Sequence, residues 1–333
     1  MRSNATLKYH FHPEKGWLND PNGLSYFKGY YHIFYQHVPQ CETPWKHSMV
    51  WGHARTKDFL HFEELPVALP ADRPYDAGGV WSGTAIEKDG RLYLFYASVD
   101  QNGKQTVSVA YTEDGVRFEK YAGNPVITEH PFACDGNFRD PAVFGENGKY
   151  YLVIASADSE KQKGLLLLYS SADLLRWHYT GVLREYDDCK FCECPSFVKL
   201  GDQYLLAVSV CPLNTGHYFE VMLGDFDGQR FTPRVCSHFQ KGPDEYAGQI
   251  FSDPAGRAIL MSWVSGWHWQ PEEKCIGCLS MPLEISVSGN ELRAYPVSEV
   301  RHLVKDGCII DSYVKETYIG GGREVYIEIL PDE

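Results

Sequence analysis

Several features that mark other protein classes are missing from this sequence of 333 residues. It contains no run of about 18 apolar residues, which argues against a membrane-spanning helix. It has no basic cluster: 31 Lys and Arg stand against 44 Asp and Glu, a net charge of −13, which disfavours nucleic acid and anionic lipid as partners. Residues 1–8 lack the apolar core of a secretory signal peptide. These absences predict a cytoplasmic protein without nucleic-acid or membrane partners.

The ten cysteines are too few for a disulfide scaffold, so we expect reduced thiols. Two C-x-x-C pairs, Cys189/Cys192 and Cys275/Cys278, raise the alternative of a structural zinc site. The two pairs lie far apart in the chain, and Cys194 crowds the first of them. Buried, unreactive thiols are therefore the preferred interpretation, and no metal is expected.

Helical periodicity is nearly absent, whereas aromatic residues, which favour strands, are abundant (22 Tyr, 17 Phe and 8 Trp). A short strand, a Gly-containing turn and a strongly apolar strand recur five times. The turns centre on Gly29, Gly90, Gly148, Gly201 and Gly256, at intervals of 61, 58, 53 and 55 residues. Four short strands with their loops, which form one propeller blade, fill such an interval. We therefore predict an all-β fold, with a five-bladed β-propeller over residues 1–296 and a short β extension over residues 297–333.

In a propeller the first strand of every blade lines the central channel, so the polar residues that precede the five turns should converge. These residues are Asn19, Asp20, Trp81, Ser82, Arg139, Asp140, Glu193 and Gln249. Three carboxylates, an arginine and two amides in one funnel are typical of an active site. Simple hydration of a solvent-filled channel is the alternative.

Asp20 and Glu193 differ in their sequence surroundings. Asp20 lies in WLNDPNG, among amide groups that can donate hydrogen bonds and keep a carboxylate ionised. Glu193 lies in FCECP, a poorly solvating setting that favours the protonated form. A carboxylate and a protonated carboxyl on either side of a scissile bond are the pair that glycoside hydrolysis requires.

Three segments carry a family resemblance: Trp17–Gly23, Phe138–Pro141 and Glu193–Pro195. They resemble the nucleophile, RDP and acid/base motifs of glycoside hydrolase family 32, with Leu18 where Met is commoner. Further similarity runs through the segments HIFYQ, WGHA, WSG, NPVI, AGQ and GCLSMPL, so the matches follow in order from Trp17 to Leu283. This family comprises invertases, sucrose-6-phosphate hydrolases, fructan hydrolases and related fructosyltransferases.

The resemblance implies a role for each matching residue. Asp20 would attack the anomeric carbon of fructose, Glu193 would act as general acid and then base, and Asp140 would stabilise the transition state. The fructose subsite would be completed by Asn19, Gln36, Trp51, Trp81, Ser82, Arg139 and Gln249. Terminal β-fructofuranosyl groups of sucrose, sucrose 6-phosphate or short fructans would be hydrolysed with retained configuration, the two carboxyls lying about 5–5.5 Å apart. No metal or organic cofactor is implied, and we expect the HFH spacing of His10 and His12 to be unrelated to metal.

Two other functions are open at this stage. A fructosyltransferase would use the same fold with a sugar hydroxyl in place of water, and a non-catalytic carbohydrate-binding propeller would have lost at least one acid. Recognition of a 6-phosphate would need donors at the rim of the funnel, for which the candidates are Lys46, Arg73 and Lys241. Trp45, Trp267 and Trp269 are candidates either for lining the leaving-group side or for plain packing.

Residues 297–333 are too few for the C-terminal β-sandwich that most members of the family carry. Strand-like segments at Ser312–Tyr318 and Val325–Leu330 predict a hairpin or a pair of strands. This tail would be a remnant packed on the propeller, or a second copy of the chain would cover the exposed propeller edge in a homo-oligomer.

Overall fold

A computed structural model describes residues 7–40, 48–264 and 277–330. Within these ranges the chain forms β-strands connected by turns and loops, with a single 3-10 turn at Arg301–Leu303. No helix of the described residues is long and apolar enough to cross a membrane. The predicted all-β class is confirmed.

Five antiparallel sheets follow one another along the chain, and each is built from consecutive strands. The first contains β1 (Trp17–Phe27), β2 (Tyr30–Val38), β3 (Val50–Thr56) and β4 (Phe62–Leu69), and the second contains β5 (Gly79–Lys88), β6 (Arg91–Val99), β7 (Gln105–Thr112) and β8 (Glu119–Lys120). The third contains β9 (Phe138–Glu146), β10 (Lys149–Asp158), β11 (Lys163–Ser171) and β12 (His178–Tyr186), and the fourth contains β13 (Cys189–Leu200), β14 (Gln203–Pro212), β15 (Tyr218–Phe226) and β16 (Phe231–Ser237). The fifth contains β17 (Glu245–Ser252), β18 (Ala258–Val264), β19 (Cys278–Leu279), β20 (Leu283–Ser288) and β21 (Glu291–Pro296).

The first strands of the five sheets form a closed ring. Strand β1 contacts β5, β5 contacts β9, β9 contacts β13, β13 contacts β17, and β17 returns to β1. This arrangement fits the predicted β-propeller, in which each of these sheets is one blade and its first strand lies at the centre. Two of the glycine turns, Asp89-Gly90 and Asn147-Gly148, combine two residues with positive φ, as a type I′ hairpin requires.

Aromatic and aliphatic side chains fill the space between adjacent blades. Between the third and fourth blades, for example, the rings of Phe144 and Phe197 lie 4.4 Å apart, and Phe226 packs edge-on against both at 5.6 and 5.2 Å. Offset and edge-on ring pairs of this kind stabilise a core beyond the area they bury. Aromatic side chains thus contribute to the packing between these blades.

The tail forms three strands, not the predicted two: β22 (Cys308–Asp311), β23 (Val314–Ile319) and β24 (Glu324–Ile329). The segment Cys308–Asp311 was missed because a four-residue strand bounded by turns has little periodicity. Strand β24 attaches to the propeller through Val325, whose N–H donates to Phe239 O at 2.8 Å and whose carbonyl accepts from Lys241 N at 2.8 Å. The tail is thus packed on the propeller.

His10 joins the N-terminal segment to the tail. Its ring nitrogens lie 2.9 Å from Asp311 Oδ2 and 3.0 Å from Glu316 Oε1, and all three side chains are buried. Burial lowers the pKa of His10, but the two carboxylates more than offset it and raise that pKa to about 9. The two histidines of the HFH segment therefore have different partners, because the His12 ring bonds to the Pro13 carbonyl at 3.0 Å.

Candidate active site

Every inner strand is interrupted by a bulge at the same end of the channel. The pairing register shifts after Leu18 in β1, Val80 in β5, Arg139 in β9, Glu193 in β13 and Tyr246 in β17. Three of these bulges hold a residue other than glycine in the left-handed region: Asp140 (φ 57°), Cys194 (φ 49°) and Ala247 (φ 53°). Bulges re-aim side chains and concentrate at functional sites, and they bring polar groups of several blades to one place here.

A cleft of about 440 Å³ opens at this end of the channel, and we call it the channel cleft. Eight of the ten residues predicted for the site line it: Asn19, Asp20, Gln36, Trp81, Ser82, Arg139, Asp140 and Glu193. The structure adds Gly103, Gln105, Asp135, Gly136 and Asn137, which lie at or near the start of β7 and in the loop before β9. All five lie outside the inner strands from which the site residues were predicted, so the repeat pattern did not point to them.

Trp51 and Gln249 do not line the channel cleft. Trp51 has no exposed surface, and its indole N–H donates to Trp81 O at 3.0 Å. The Gln249 amide donates to Gly83 O at 3.0 Å and accepts from Leu24 N at 3.1 Å, which ties the fifth blade to the second and the first. Trp51 thus supports the cleft residue Trp81, whereas the two partners of Gln249 do not line the channel cleft.

Asp20 is held by its neighbours on the first two blades. Ser82 Oγ donates to Oδ2 at 2.7 Å and Asn19 Nδ2 donates to Oδ1 at 3.0 Å. Burial raises the pKa of Asp20 and the negative charge of Glu193 raises it further, against the lowering effect of these two hydrogen bonds. The amide donor that the sequence predicts is present in Asn19, but burial outweighs it because a buried carboxylate loses more hydration than two donors replace.

Glu193 is paired on both oxygens. Arg139 donates to Oε1 from Nη2 at 2.9 Å and from Nε at 3.2 Å, while the Tyr246 hydroxyl donates to Oε2. This polar setting differs from the apolar one that the flanking cysteines and Pro195 predict. Tyr246 is a contact that sequence reasoning missed, although it precedes the bulge of β17 as Glu193 precedes that of β13. Aligning the repeats on their bulges would have found it.

Asp140 is the third of the predicted acids in the channel cleft. The Cys194 N–H donates to its Oδ2 at 2.9 Å, and Cys194 Sγ lies 3.7 Å from the same oxygen and 3.5 Å from Asp20 Oδ2. Burial, followed by the charges of Glu193 and Asp20, raises the pKa of Asp140 to about 7 although Arg139 lowers it. The channel cleft thus gathers one guanidinium, that of Arg139, and four carboxyl groups, those of Asp20, Asp135, Asp140 and Glu193.

The other candidate residues lie elsewhere. Arg73 is exposed beside Asp72 at 3.7 Å, and Lys241 is engaged through its backbone at the tail; neither lines the channel cleft. Trp45, Lys46, Trp267, Trp269 and Cys275 fall outside the described residues. Cys189, Cys192 and Cys278 are buried free thiols, and no group of three or more His, Cys, Asp or Glu within the described ranges is placed to hold a metal.

Comparison with known proteins places these residues in a family. The profile described as "Glycosyl hydrolases family 32 N-terminal domain" matches residues 10–296. The chain is 33% identical to a sucrose-6-phosphate hydrolase of Zymomonas mobilis, over 89% of this chain and 62% of that one, and 34% identical to a raffinose invertase of Escherichia coli, over 89% and 65%. It thus spans a little under two thirds of the length of these relatives. A solved GH32 beta-fructofuranosidase of Bombyx mori shares the fold with a TM-score of 0.87 at 23% identity, over 99% of this chain and 91% of that one.

Proposed function

Because the chain belongs to glycosyl hydrolase family 32, we propose that it hydrolyses terminal β-D-fructofuranosyl bonds of sucrose-like sugars or short fructans with retention of configuration. The observation that carries the proposal is the meeting of Asp20, Asp140 and Glu193 with Arg139 in one cleft. Two carboxyl groups in distinct hydrogen-bonded settings are what a double displacement at a glycosidic carbon needs.

Each acid has one task in this reaction. Asp20, aimed by Ser82 and Asn19, attacks C2 of fructose and forms a covalent fructosyl-enzyme while the bond to the leaving oxygen breaks. Glu193 gives its proton to that oxygen and then takes one from the water that releases fructose. Asp140 accepts hydrogen bonds from fructose hydroxyls, which strengthen as positive charge develops at the ring.

The substrate is the open part of the proposal. The two relatives carry names that refer to sucrose 6-phosphate and raffinose, both sugars, so a small neutral or phosphorylated fructoside is proposed for this chain as well. The free thiols among the described cysteines support a reducing compartment, and we propose the cytoplasm. Association into a homo-oligomer stays a prediction.

Incubation of the purified chain with sucrose tests the proposal, with glucose and fructose measured separately over time. Equal amounts of both sugars are expected. Asp20→Ala and Glu193→Gln should each lower kcat by about 10³-fold or more while the far-UV spectrum is unchanged, as removal of a nucleophile or a general acid generally does. Glu113→Gln, an exposed carboxyl on the second blade, is the matched control.

The same incubation separates the alternatives. Fructosyl transfer would release glucose in excess of fructose at high sucrose concentration, with trisaccharide formed in its place. A carbohydrate-binding propeller would release neither sugar. Near-normal turnover in Asp20→Ala or Glu193→Gln would contradict the assignment of these residues.

A further inference from the structure

A second cleft of about 400 Å³ lies on the outer side of the second and third blades. It is lined by residues 126–131, which precede β9, and by Tyr169, Trp177 and Tyr179 of the third blade. Its volume falls in the range of small-molecule binding sites. We call it the outer cleft.

Three aromatic rings form one wall of the outer cleft. Trp177 is fixed by an edge-on contact with Phe95 at 5.6 Å and by the bond from its indole N–H to Leu174 O at 3.0 Å. Tyr169 and Tyr179 lie 5.4 Å apart, and Tyr179 is 43% exposed. Tyr179 thus offers an aromatic face to solvent and Trp177 is partly exposed, whereas Tyr169 is buried at 4% exposure. Exposed aromatic faces suit the apolar C–H faces of sugar rings, and the Tyr179 hydroxyl can bond to sugar hydroxyls.

The polar groups of the outer cleft favour a neutral ligand. Thr128 and Glu129 are exposed at its edge and supply a hydroxyl and a carboxylate. Burial, then the neighbouring Tyr179 and Glu129, raises the pKa of Tyr169, so its phenol remains a hydrogen-bond donor at neutral pH. Burial lowers the pKa of His130, and none of the described lining residues is Lys or Arg. A hydroxyl-rich neutral ligand therefore fits better than a phosphate.

The outer cleft is connected to the channel cleft through a shared wall. Phe138 stacks on His130 at 4.2 Å and meets Tyr169 edge-on at 6.4 Å, while the next residue, Arg139, holds Glu193. The ring of His130 also lies 2.7 Å from the carbonyl of Gln105, a residue of the channel cleft. Residues 126–131 line the outer cleft, and Asp135, Gly136 and Asn137 of the same loop line the channel cleft.

We propose that the outer cleft is a saccharide-binding site that holds the distal part of a fructan chain whose terminal unit occupies the channel cleft. The proposal rests on the proposed fructosidase function for the placement of that terminal unit. Aromatic stacking and hydrogen bonds to neutral groups define the ligand as a saccharide. The loop before β9 lines both clefts, so the fructan would run along this loop from the channel cleft to the outer cleft.

Kinetics on short and long substrates test the proposal. Tyr179→Ala should leave kcat/KM for sucrose unchanged and raise KM for inulin, a linear fructan, by about five-fold, the size of one aromatic contact. Glu129→Gln, which removes charge and little volume, should act in the same direction if the carboxylate accepts from sugar hydroxyls. Tyr26→Ala is the matched control, since Tyr26 is 37% exposed and lies on the first blade, outside the outer cleft. An unchanged ratio of inulin to sucrose kcat/KM in Tyr179→Ala would overturn the proposal.

A binding measurement separates this proposal from the catalytic one. In native gels containing inulin, the Asp20→Ala protein should be retarded, and the Asp20→Ala/Tyr179→Ala protein should be retarded less. Equal retardation of the two proteins would overturn the outer-cleft proposal. Lack of turnover by the unmodified chain on both sucrose and inulin would instead count against the fructosidase function, and the gel result would still decide the role of the outer cleft.

Discussion

At the scale of single residues, burial and hydrogen-bond partners have opposite effects on the pKa values of the acids in the channel cleft. Asp20 and Asp140 both have raised pKa values because the loss of hydration outweighs the donors that face them. Their identity as candidate acids was readable from their motifs. Their charge state was not, since it depends on Ser82 and Cys194, which come from other blades, as well as on the adjacent Arg139.

Ser82→Ala tests the hydrogen bond on Asp20. Ser82 lowers the pKa of that carboxyl, so its loss should move the acidic limb of the kcat/KM profile upward by about one pH unit, the value of one hydrogen bond to a charged group. Steady-state rates on sucrose between pH 4 and 8 measure the shift. Ser25→Ala, which removes a buried hydroxyl bonded to Gly23 O, should leave the limb in place; an unmoved limb in Ser82→Ala would contradict the account.

Asp140→Asn tests the cost of burying the third acid. A carboxyl with a folded-state pKa near 7 binds a proton that the unfolded chain has lost, so its burial costs stability that grows as pH rises from about 4 to 7. At pH 8 the free energy of unfolding of the asparagine variant should therefore exceed that of the unmodified chain by at most about 4 kcal/mol. At pH 4 the two should differ little, and denaturant titration measures both values. Equal stabilities at both pH values would refute the raised pKa.

At the scale of strands, the five repeated bulges are the feature that sequence periodicity did not reveal. The glycine turns join the first two strands of each blade, and they predicted the sheets well because a turn position at positive φ favours glycine. The bulges carry no such signature: the left-handed positions are occupied by Asp140, Cys194 and Ala247 rather than by glycine. The three acids therefore occupy different positions relative to their bulges, which alignment on the turns had treated as equivalent.

Ala247 allows the strain of a bulge to be measured away from the acids. At φ 53° an alanine is disfavoured relative to glycine, so Ala247→Gly should raise the free energy of unfolding by up to about 1 kcal/mol, and the β-branched Ala247→Val should lower it. Ala142→Gly, in regular strand just after the bulge of β9, should instead destabilise by about 1 kcal/mol. Chemical denaturation measures the free energy of unfolding of the three variants. Destabilisation by Ala247→Gly as large as that by Ala142→Gly would show that the bulge stores no strain.

At the scale of the whole molecule, hydrogen bonds and ion pairs join the N-terminal segment to the tail. Lys8, Tyr9 and His10 donate backbone N–H groups to Asp311, and Met281 of the fifth blade donates to Glu316. Segments far apart in sequence thus share one buried charge cluster. Such pairing could not be predicted from local patterns, because the His10 motif and the two acids of the tail have no common periodicity.

His10→Gln tests the pairing of His10 with Asp311 and Glu316. His10 has a folded-state pKa of about 9, so its contribution to stability is fully present below pH 6.5 and is lost as pH rises through 9. The variant should lose up to about 3 kcal/mol at pH 6 and much less at pH 10. His12→Gln, with only a local bond to Pro13, should change stability little. A His10→Gln deficit that does not shrink between pH 6 and 10 would contradict the charged state of His10.

The configuration of the product formed in aqueous methanol tests the central claim most directly. A methyl fructoside does not mutarotate, so its anomeric configuration records how many displacements occurred at C2. If Asp20 forms a covalent fructosyl-enzyme that Glu193 then helps methanol to open, nuclear magnetic resonance should show the methyl β-D-fructofuranoside from sucrose. The methyl α-D-fructofuranoside as the main product would mean a single displacement and would contradict the role of Asp20 as nucleophile.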